Sequence, residues 1–141
     1  MNEEKTSSNS TAKETYSPTA TTTESQSLAL KSNPELQAAF DNRRSNIWLA
    51  GSGEVINILS DDNKGSRHQR FLVKVNPSQT LLIAHNIDLA ERVSNLHVGD
   101  MIQFYGEYEW NEKGGVIHWT HHDPANKKSG GWIKHNNITY Q

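Results

Sequence analysis

The sequence HWTHHD, at positions 118–123, contains three histidines, a tryptophan and an aspartate. Imidazole and carboxylate groups are the side chains with which proteins bind metal ions and transfer protons near neutral pH. In an extended strand, residues four apart are separated by about 13 Å, whereas zinc holds its nitrogen ligands at about 2.0–2.1 Å. His118 and His122 therefore cannot bind one ion while the strand is straight.

A metal site in this region requires the strand to end by Thr120. The loop that follows would then bring His121, His122 and Asp123 together around a divalent metal such as zinc. Partners from elsewhere would come from strand and helix ends, and the candidates are His68, His85 and Asp88. The alternative is that these histidines are hydrogen-bonded or solvated at strand ends, which is the commoner fate of such residues.

Histidine can also act as a general acid or base, and alternation along this strand identifies the candidate. We expect His118 and Thr120 to face outward. Ile117 and Trp119 would then point into the core. His118 is thus the imidazole expected on an outer face, where it can meet a substrate.

The neighbour of His118 depends on the register of the hairpin that precedes it. A four-residue loop (111–114) puts Glu107 opposite His118, a five-residue loop puts Tyr108 there, and the sequence leaves both open. With Glu107 adjacent, the carboxylate would orient the imidazole for proton transfer.

These residues suggest a hydrolase. His118 would transfer protons together with His68 or His85, while Arg67 and Arg70 would hold an anionic group through their forked donors. This set is typical of a phosphodiesterase or nuclease, with or without a metal. The alternative for the two arginines is pairing with the aspartates at 61–62 across a turn.

The same residues could instead form a ligand-binding site, which requires fewer precisely placed groups than catalysis. OB-fold barrels bind oligonucleotides or oligosaccharides on one sheet face and its loops. Five aromatic side chains offer stacking surfaces, of which we expect three to be substantially buried: Tyr105, Tyr108, Trp110, Trp119 and Trp132. Asn86 is a further candidate contact, and hydrogen bonding to turn backbone is its alternative role.

The hydrophobic pattern predicts a mainly β domain. The expected strands are Trp48–Leu59, His68–Val75, Thr80–His85, Met101–Trp110 and Val116–His121, with a ribbon between Gly130 and Gln141. A short helix follows the N-cap Asn33, and IDLAERVSNL predicts a second helix between strands 3 and 4, capped by Asp88. This order is typical of a small OB-fold-like antiparallel five-stranded barrel.

The first residues differ in composition from the rest. Ser and Thr make up more than half of residues 6–27, so we expect 1–28 to be a disordered leader or tether and 29–141 to be a single OB-like domain. Such a tether is typical of a lipid-anchored protein of the periplasm or cell envelope; a tail on a cytoplasmic protein is the alternative. No apolar run approaches the ~18–20 residues of a membrane span.

Charge and cysteine content limit the partners. The net charge is −2, and Arg67, Arg70 and Lys74 form only a modest basic group. This balance argues against extended nucleic acid and favours a small neutral or anionic ligand. The absence of cysteine excludes disulfides and thiolate metal ligands.

Several strings resemble the bacterial DUF3465 family, namely DDNKGSRHQRF, AHNIDLA, GEYEWNEKGG, HWTHHDP and GWIKHNNITYQ. The resemblance covers most of the chain from Gly51 to Gln141 and leaves out the Ser/Thr-rich leader. It implies no specific activity, because the family has none established. Since members often resemble small exported proteins, it does imply export. The expected function is ligand binding through a His/Arg/aromatic surface, with a hydrolase as the alternative.

Overall fold

The computed structural model describes residues 33–127 and 129–141. In this part of the chain, one helix, α1 (Pro34–Asp41), precedes the strands. The strands are β1 (Ile47–Ile58), β2 (His68–Asn76), β3 (Gln79–Asn86), β4 (Met101–Glu109), β5 (Val116–His118), β6 (Trp132–His135) and β7 (Ile138–Tyr140). The leader predicted at 1–28, and with it the envelope-tether hypothesis, lies outside the described residues.

Five strands close into a barrel. Their order is β1-β2-β3-β5-β4, and β1 also pairs with β4, which completes the ring. β6 and β7 extend the sheet beyond β4 as the predicted terminal ribbon. The mainly β, five-stranded barrel is therefore confirmed. The prediction of a wholly antiparallel sheet is wrong, because β3 and β5 run parallel, with Leu82 opposite Val116 and Ile83 opposite Ile117.

Strand β1 closes the barrel because it is long enough to pair on both sides. Residues 47–54 pair with β4 and residues 54–58 pair with β2. At the crossover, a Cβ on Gly53 would lie 2.3 Å from the carbonyl oxygen of Lys74, so only glycine allows this backbone approach. The register of β1 with β2 is irregular between Val55 and Asn57, just beyond this glycine.

The helix predicted at 87–96 does not form, so this part of the fold prediction is wrong. The segment consists of turns, and side chains of the barrel bind the backbone groups of Glu91 and Val93. Gln69 accepts from the Val93 amide at 2.9 Å and donates to the Val93 carbonyl at 3.1 Å. The His85 ring donates to the Glu91 carbonyl at 2.8 Å. These bonds take the places of helical i→i−4 bonds.

Helix α1 covers the barrel end at which β3 begins. Asn33 occupies the N-cap position, but its side chain makes no cap bond; it donates to the carbonyls of Ser52 and Val75 instead. Gln79, the first residue of β3, donates to the Leu36 carbonyl at 3.1 Å. The helix is thus tied to the barrel by buried amides as well as by its apolar face. No described helix is long and apolar enough to cross a membrane.

The core lies inside the barrel and under α1. Its buried apolar side chains come from every described strand, from the helix and, for Val93, from the turns between β3 and β4: Leu36, Ala39, Val55, Phe71, Val73, Val75, Leu81, Ile83, Val93, Ile102, Phe104, Tyr108, Ile117, Ile133 and Tyr140. The last two residues belong to the terminal ribbon, which covers part of the core. The interior is therefore filled by side chains, and chemistry must take place outside it or at its ends.

Candidate functional site

Three strand ends meet at one rim of the barrel, opposite α1. β3 and β5 are parallel, so their carboxyl ends lie at the same edge of the sheet. β2 runs antiparallel to β3 and begins there, with His68 opposite Asn86. The β1–β2 connection and the segment after His118 end at this same rim. Polar residues that are far apart in sequence are thereby brought together.

A cavity of about 330 Å³ opens at this rim, and we call it the rim pocket. Its lining residues come from strand ends and from the loops that follow them: His68, Asn86, Leu89, His118, Trp119, His121, Asp123, Pro124 and Ala125. Six of these nine are residues that the sequence singled out as candidates. Within this lining the pocket contains imidazole, amide, carboxylate and indole groups but no lysine or arginine.

Trp119 ends β5 and changes the direction of its neighbours. Its φ is +60°, a left-handed conformation that is rare for a bulky residue and that breaks the alternation of the strand. As a result Thr120 is fully buried, although alternation predicted it outside. Trp119, predicted inside, is instead half-buried on the outer side, where His121 stacks on its ring at 5.3 Å. Strand β5 ends three residues earlier than expected for this reason.

His85 lies beneath the pocket and is fully buried. Its Nε2–H donates to the Glu91 carbonyl, which can only accept, so Nδ1 is unprotonated and accepts from the Thr120 hydroxyl at 2.7 Å. Burial lowers the pKa of His85 to about 4, and the charges of His121 and His68 act in the same direction. The predicted proton-transfer residue is therefore a neutral, doubly hydrogen-bonded ring beneath the rim.

The metal ligands predicted at 121–123 do not converge. His121 is buried and its Nδ1–H donates to the His122 carbonyl at 2.8 Å, while the His122 side chain is exposed. Both carboxylate oxygens of Asp123 accept backbone N–H groups, from Ala125 and Lys127. The segment is organised as a turn around Asp123. Its carboxylate accepts the backbone N–H groups that order this loop.

His118 faces two glutamates on the neighbouring strand. The register places Glu107 opposite it, which settles the choice that the sequence left open. His118 Nε2 lies 3.7 Å from a carboxylate oxygen of Glu107 and 3.7 Å from one of Glu109. We call these three residues the carboxylate–histidine cluster. The side chains of His118, Glu107 and Glu109 are 34%, 18% and 41% exposed.

The two arginines do not join His118. Arg67 donates from its backbone N–H and from Nε to the carboxylate of Asp88, and both bonds lower the pKa of Asp88. Arg70 donates to the Ser60 carbonyl at 3.0 Å. Asp88 is thus an ion-pair partner and not the predicted helix cap. Neither arginine lines the rim pocket; Arg67 borders a separate cavity beside Asp88 and Arg92, so their predicted anion-holding role stays a prediction.

Tyr108 and Asn86 have structural partners. Tyr108 is fully buried, its hydroxyl donates to the Gly114 carbonyl at 3.0 Å, and burial raises its pKa. Its ring packs in the core and is not exposed for the ligand stacking that the sequence suggested. The Asn86 side-chain oxygen accepts from the amides of Asp88 and Leu89, and the residue also borders the rim pocket.

An aromatic row extends from the pocket across the outer face of the barrel. The ring centroids of Trp119 and Trp48 are 6.3 Å apart, those of Trp48 and Tyr105 are 5.5 Å apart, and those of Tyr105 and Trp132 are 6.4 Å apart. All four rings are half-buried, so each keeps an exposed surface. Of the five aromatics singled out in the sequence, Tyr108 is fully buried and the other four are partly buried, so the expectation that at least three would be substantially buried is met.

Sequence reasoning missed Trp48 and Glu109. Trp48 is paired with Glu107, and Glu109 follows Glu107 by two residues on the same strand, so all three lie on one outer face. The alternation of β4 carried part of this signal, since Tyr105, Glu107 and Glu109 alternate with buried residues. The pairing that adds Trp48 joins strands far apart in the chain and is not visible in the sequence.

Comparison with protein-family models gives a match. A family model described as a protein of unknown function, DUF3465, matches residues 20–141. The match therefore begins within the Ser/Thr-rich leader and includes the whole barrel. No curated protein is significantly similar to the chain.

Proposed function

The chain belongs to the DUF3465 family, and from the chemistry of its own rim we propose that it is an OB-like barrel that binds a neutral, sugar-like ligand. The ligand would occupy the rim pocket and extend along the aromatic row. The observation that carries this proposal is the rim pocket itself, with polar residues from separate segments beside a continuous row of aromatic rings.

The composition of the pocket supports a polar ligand with an apolar face. Small-molecule sites combine aromatic walls with a few polar groups that fix orientation. Here Trp119 supplies the wall, and His68, Asn86 and His121 supply hydrogen-bonding groups. His68 donates from Nδ1 to the Ser66 carbonyl, so its ring offers Nε2 as an acceptor for a ligand hydroxyl. A sugar ring has both the apolar face and the hydroxyls that this lining requires.

Local charge supports a neutral ligand over an anion. The pocket lining contains no lysine or arginine, and Glu107 and Glu109 lie on the strand next to His118. While no cation is bound to them, carboxylates at this position disfavour phosphate and nucleic acid through like-charge repulsion. The proposal therefore narrows the small neutral or anionic ligand expected from the sequence to the neutral class.

The strand order supports the OB-like part of the proposal. A five-stranded closed barrel with the order β1-β2-β3-β5-β4 has the strand count of an OB fold, and the rim pocket lies beside the β1–β2 connection, a loop that such barrels use for binding. The helix between strands 3 and 4 is replaced by turns, so the likeness rests on the strands.

Titration with neutral oligosaccharides tests the proposal. Trisaccharides of glucose and of N-acetylglucosamine would be added to the full chain and followed by amide NMR shifts. We expect saturable shifts that map to the rim pocket and the aromatic row. Absence of saturable binding at millimolar sugar, or shifts confined to another face, would overturn the proposal.

A pair of tryptophan variants makes this test site-specific. Trp119→Ala is expected to weaken sugar binding at least tenfold, the equivalent of about 1.4 kcal/mol. Trp110→Ala is the matched control, because Trp110 is also half-buried but stacks on Phe40 of α1, at the opposite end of the barrel. Thermal unfolding of both variants separates lost binding from lost folding. Equal weakening by the two substitutions would contradict the assignment of the site.

Single-stranded DNA is the informative comparison ligand. At low salt, where phosphate contacts are strongest, we expect no binding at tens of micromolar oligonucleotide. If DNA binds at this concentration and the sugars do not, the ligand is a nucleic acid and the proposal of a neutral ligand is wrong.

A metal-assisted hydrolase is the second candidate. The observation that favours it is that His118 and His68 line one pocket while Glu107 is paired with His118. Turnover of a simple phosphodiester, with and without divalent metal, is the test. Activity that His118→Ala abolishes would support the hydrolase, and activity that survives this substitution would reject it.

A further inference from the structure

The carboxylate–histidine cluster has a geometry that hydrogen bonding does not explain. Glu107 and Glu109 are alternate residues of β4 and project from the same outer face, and His118 is opposite Glu107 in β5. Each 3.7 Å separation between His118 Nε2 and a carboxylate oxygen exceeds the length of an N–H···O bond, which is about 2.7–3.2 Å. The imidazole points between the two carboxylates without bonding to either.

The nitrogen that faces the carboxylates is buried and unsatisfied. His118 Nε2 is inaccessible to solvent and has no hydrogen-bond partner among the described residues. A buried polar atom without a partner carries a desolvation cost, and such atoms are rare in folded proteins. This nitrogen therefore indicates a missing partner between the two strands.

The negative charges of the Glu107 and Glu109 carboxylates also lack a neighbouring positive charge from lysine or arginine among the described residues. The oxygens of Glu107 and Glu109 lie within 4.8 Å of each other and of His118 Nε2. Within residues 33–127 and 129–141, neither glutamate forms an ion pair with a lysine or arginine. Two carboxylates so close repel each other unless a cation or a proton lies between them.

One divalent cation would explain the 3.7 Å separations, the buried His118 Nε2 without a hydrogen-bond partner and the closeness of the two carboxylates. Ligand atoms that surround a zinc ion at ~2.0–2.2 Å in a tetrahedron are ~3.4 Å apart, close to the spacing of His118 Nε2 from each carboxylate. A histidine with two carboxylates is a ligand set suited to Zn²⁺ or Mn²⁺, and three protein ligands leave at least one coordination position for water.

We propose that Glu107, Glu109 and His118 bind one divalent transition-metal ion on the outer face of the barrel, next to the rim pocket. This site differs from the one predicted at His121–Asp123 and requires no rearrangement of that turn. Because strands β4 and β5 supply all the ligands, the site is held by the barrel itself and not by a mobile loop. The proposal does not depend on the sugar-like ligand.

Calorimetric titration with Zn²⁺ and with Mn²⁺ tests the site. The probe is the metal alone, added to tag-free full chain from which ions have been removed by chelator. We expect one ion per chain for at least one of the two metals. Absence of saturable binding of both would overturn the proposal.

Single substitutions then identify the ligands. Glu107→Gln, Glu109→Gln and His118→Ala are each expected to weaken binding at least tenfold. His122→Ala is the matched control, because His122 is an exposed histidine of the alternative site and should leave binding unchanged. Tight binding that survives the glutamate substitutions but is lost with His122→Ala would reject the cluster.

A structural measurement distinguishes variants that fold but do not bind metal from variants that misfold. Each variant is compared with wild type by far-ultraviolet circular dichroism and by the shift in melting temperature that added metal causes. The two glutamine variants keep the size of the side chains, so folding without the metal-induced shift is the expected result. A full shift in both variants would contradict the proposal even if calorimetry were ambiguous.

Discussion

The imidazoles of His85 and His118 have different surroundings in this barrel. His85 is neutral and doubly hydrogen-bonded under the rim, whereas His118 lies partly open between two carboxylates. The two residues belong to adjacent strands, and sequence alone made them equal candidates for proton transfer. Their difference follows from burial and from the donors and acceptors around each ring.

Protonation of His85 should make folding sensitive to mild acid. The pKa of His85 is about 4 when folded and 6.5 in the reference state, so its contribution to stability is fully present above about pH 6.5. That contribution is lost as the pH falls toward 4, by up to roughly 3 kcal/mol. Urea unfolding at a series of pH values between about 7.5 and 4.5 measures this loss.

His85→Gln is the control for the acid effect. The glutamine amide can donate to the Glu91 carbonyl but does not titrate, so its unfolding free energy should fall less over the same pH range. His68 and His121 are present in both proteins and cancel in the comparison. Parallel pH profiles for wild type and variant would assign the acid sensitivity to another group.

At the scale of elements, the segment between β3 and β4 is the clearest departure from local propensity. Its sequence has the capping residues and apolar spacing of a helix, yet its backbone bonds to Gln69, His85 and Tyr140. Tertiary hydrogen bonds override a helical preference of this size, because propensity differences amount to only tenths of a kcal/mol per residue. The resulting turns leave Asn86 at the rim pocket.

Gln69→Met should destabilise the domain by about 2–3 kcal/mol. Methionine keeps the length of the side chain but leaves the N–H and C=O of Val93 without partners in a buried place. Urea unfolding gives the free energy, and faster hydrogen exchange at the Val93 amide would locate the change. Gln37→Met removes an exposed bond to Asp41 and should cost less than about 0.5 kcal/mol. Equal costs would contradict the proposed role of Gln69.

At the scale of the whole molecule, closure of the barrel creates the site. β1 joins β2 to β4, and the parallel pairing of β3 with β5 brings three strand ends to one rim. A sheet left open at β1 would separate Trp48 from the rest of the aromatic row. The aromatic row therefore depends on the same long strand, β1, that closes the barrel.

Gly53→Ala should weaken this closure by about 2 kcal/mol or more. The added Cβ would lie 2.3 Å from the Lys74 carbonyl oxygen, and backbone cannot move aside cheaply in a paired strand. Gly65→Asn is the control, because no atom lies within 4 Å of a Cβ at Gly65 and asparagine tolerates its φ of +69°. Thermal unfolding compares the two variants. A Gly53→Ala protein as stable as wild type would show that the crossover relaxes.

Local sequence information determined the strands, the first helix and the residue types that could do chemistry. Alternation and turn composition placed β2, β3 and β4 within one residue or so, because these signals are carried by near neighbours. The same signals identified His68, Asn86 and His118 as candidates. They failed after His118, where the left-handed Trp119 ends the alternation.

Only the tertiary structure decided which candidates meet. The parallel β3–β5 pair, the register of Glu107 with His118 and the pairing of Trp48 with Glu107 all join residues distant in the chain. The same long-range packing directed Arg67 to Asp88 and buried Tyr108. Hydrogen-bond partners and burial are set by the closed barrel as a whole, and no window of the sequence contains that information.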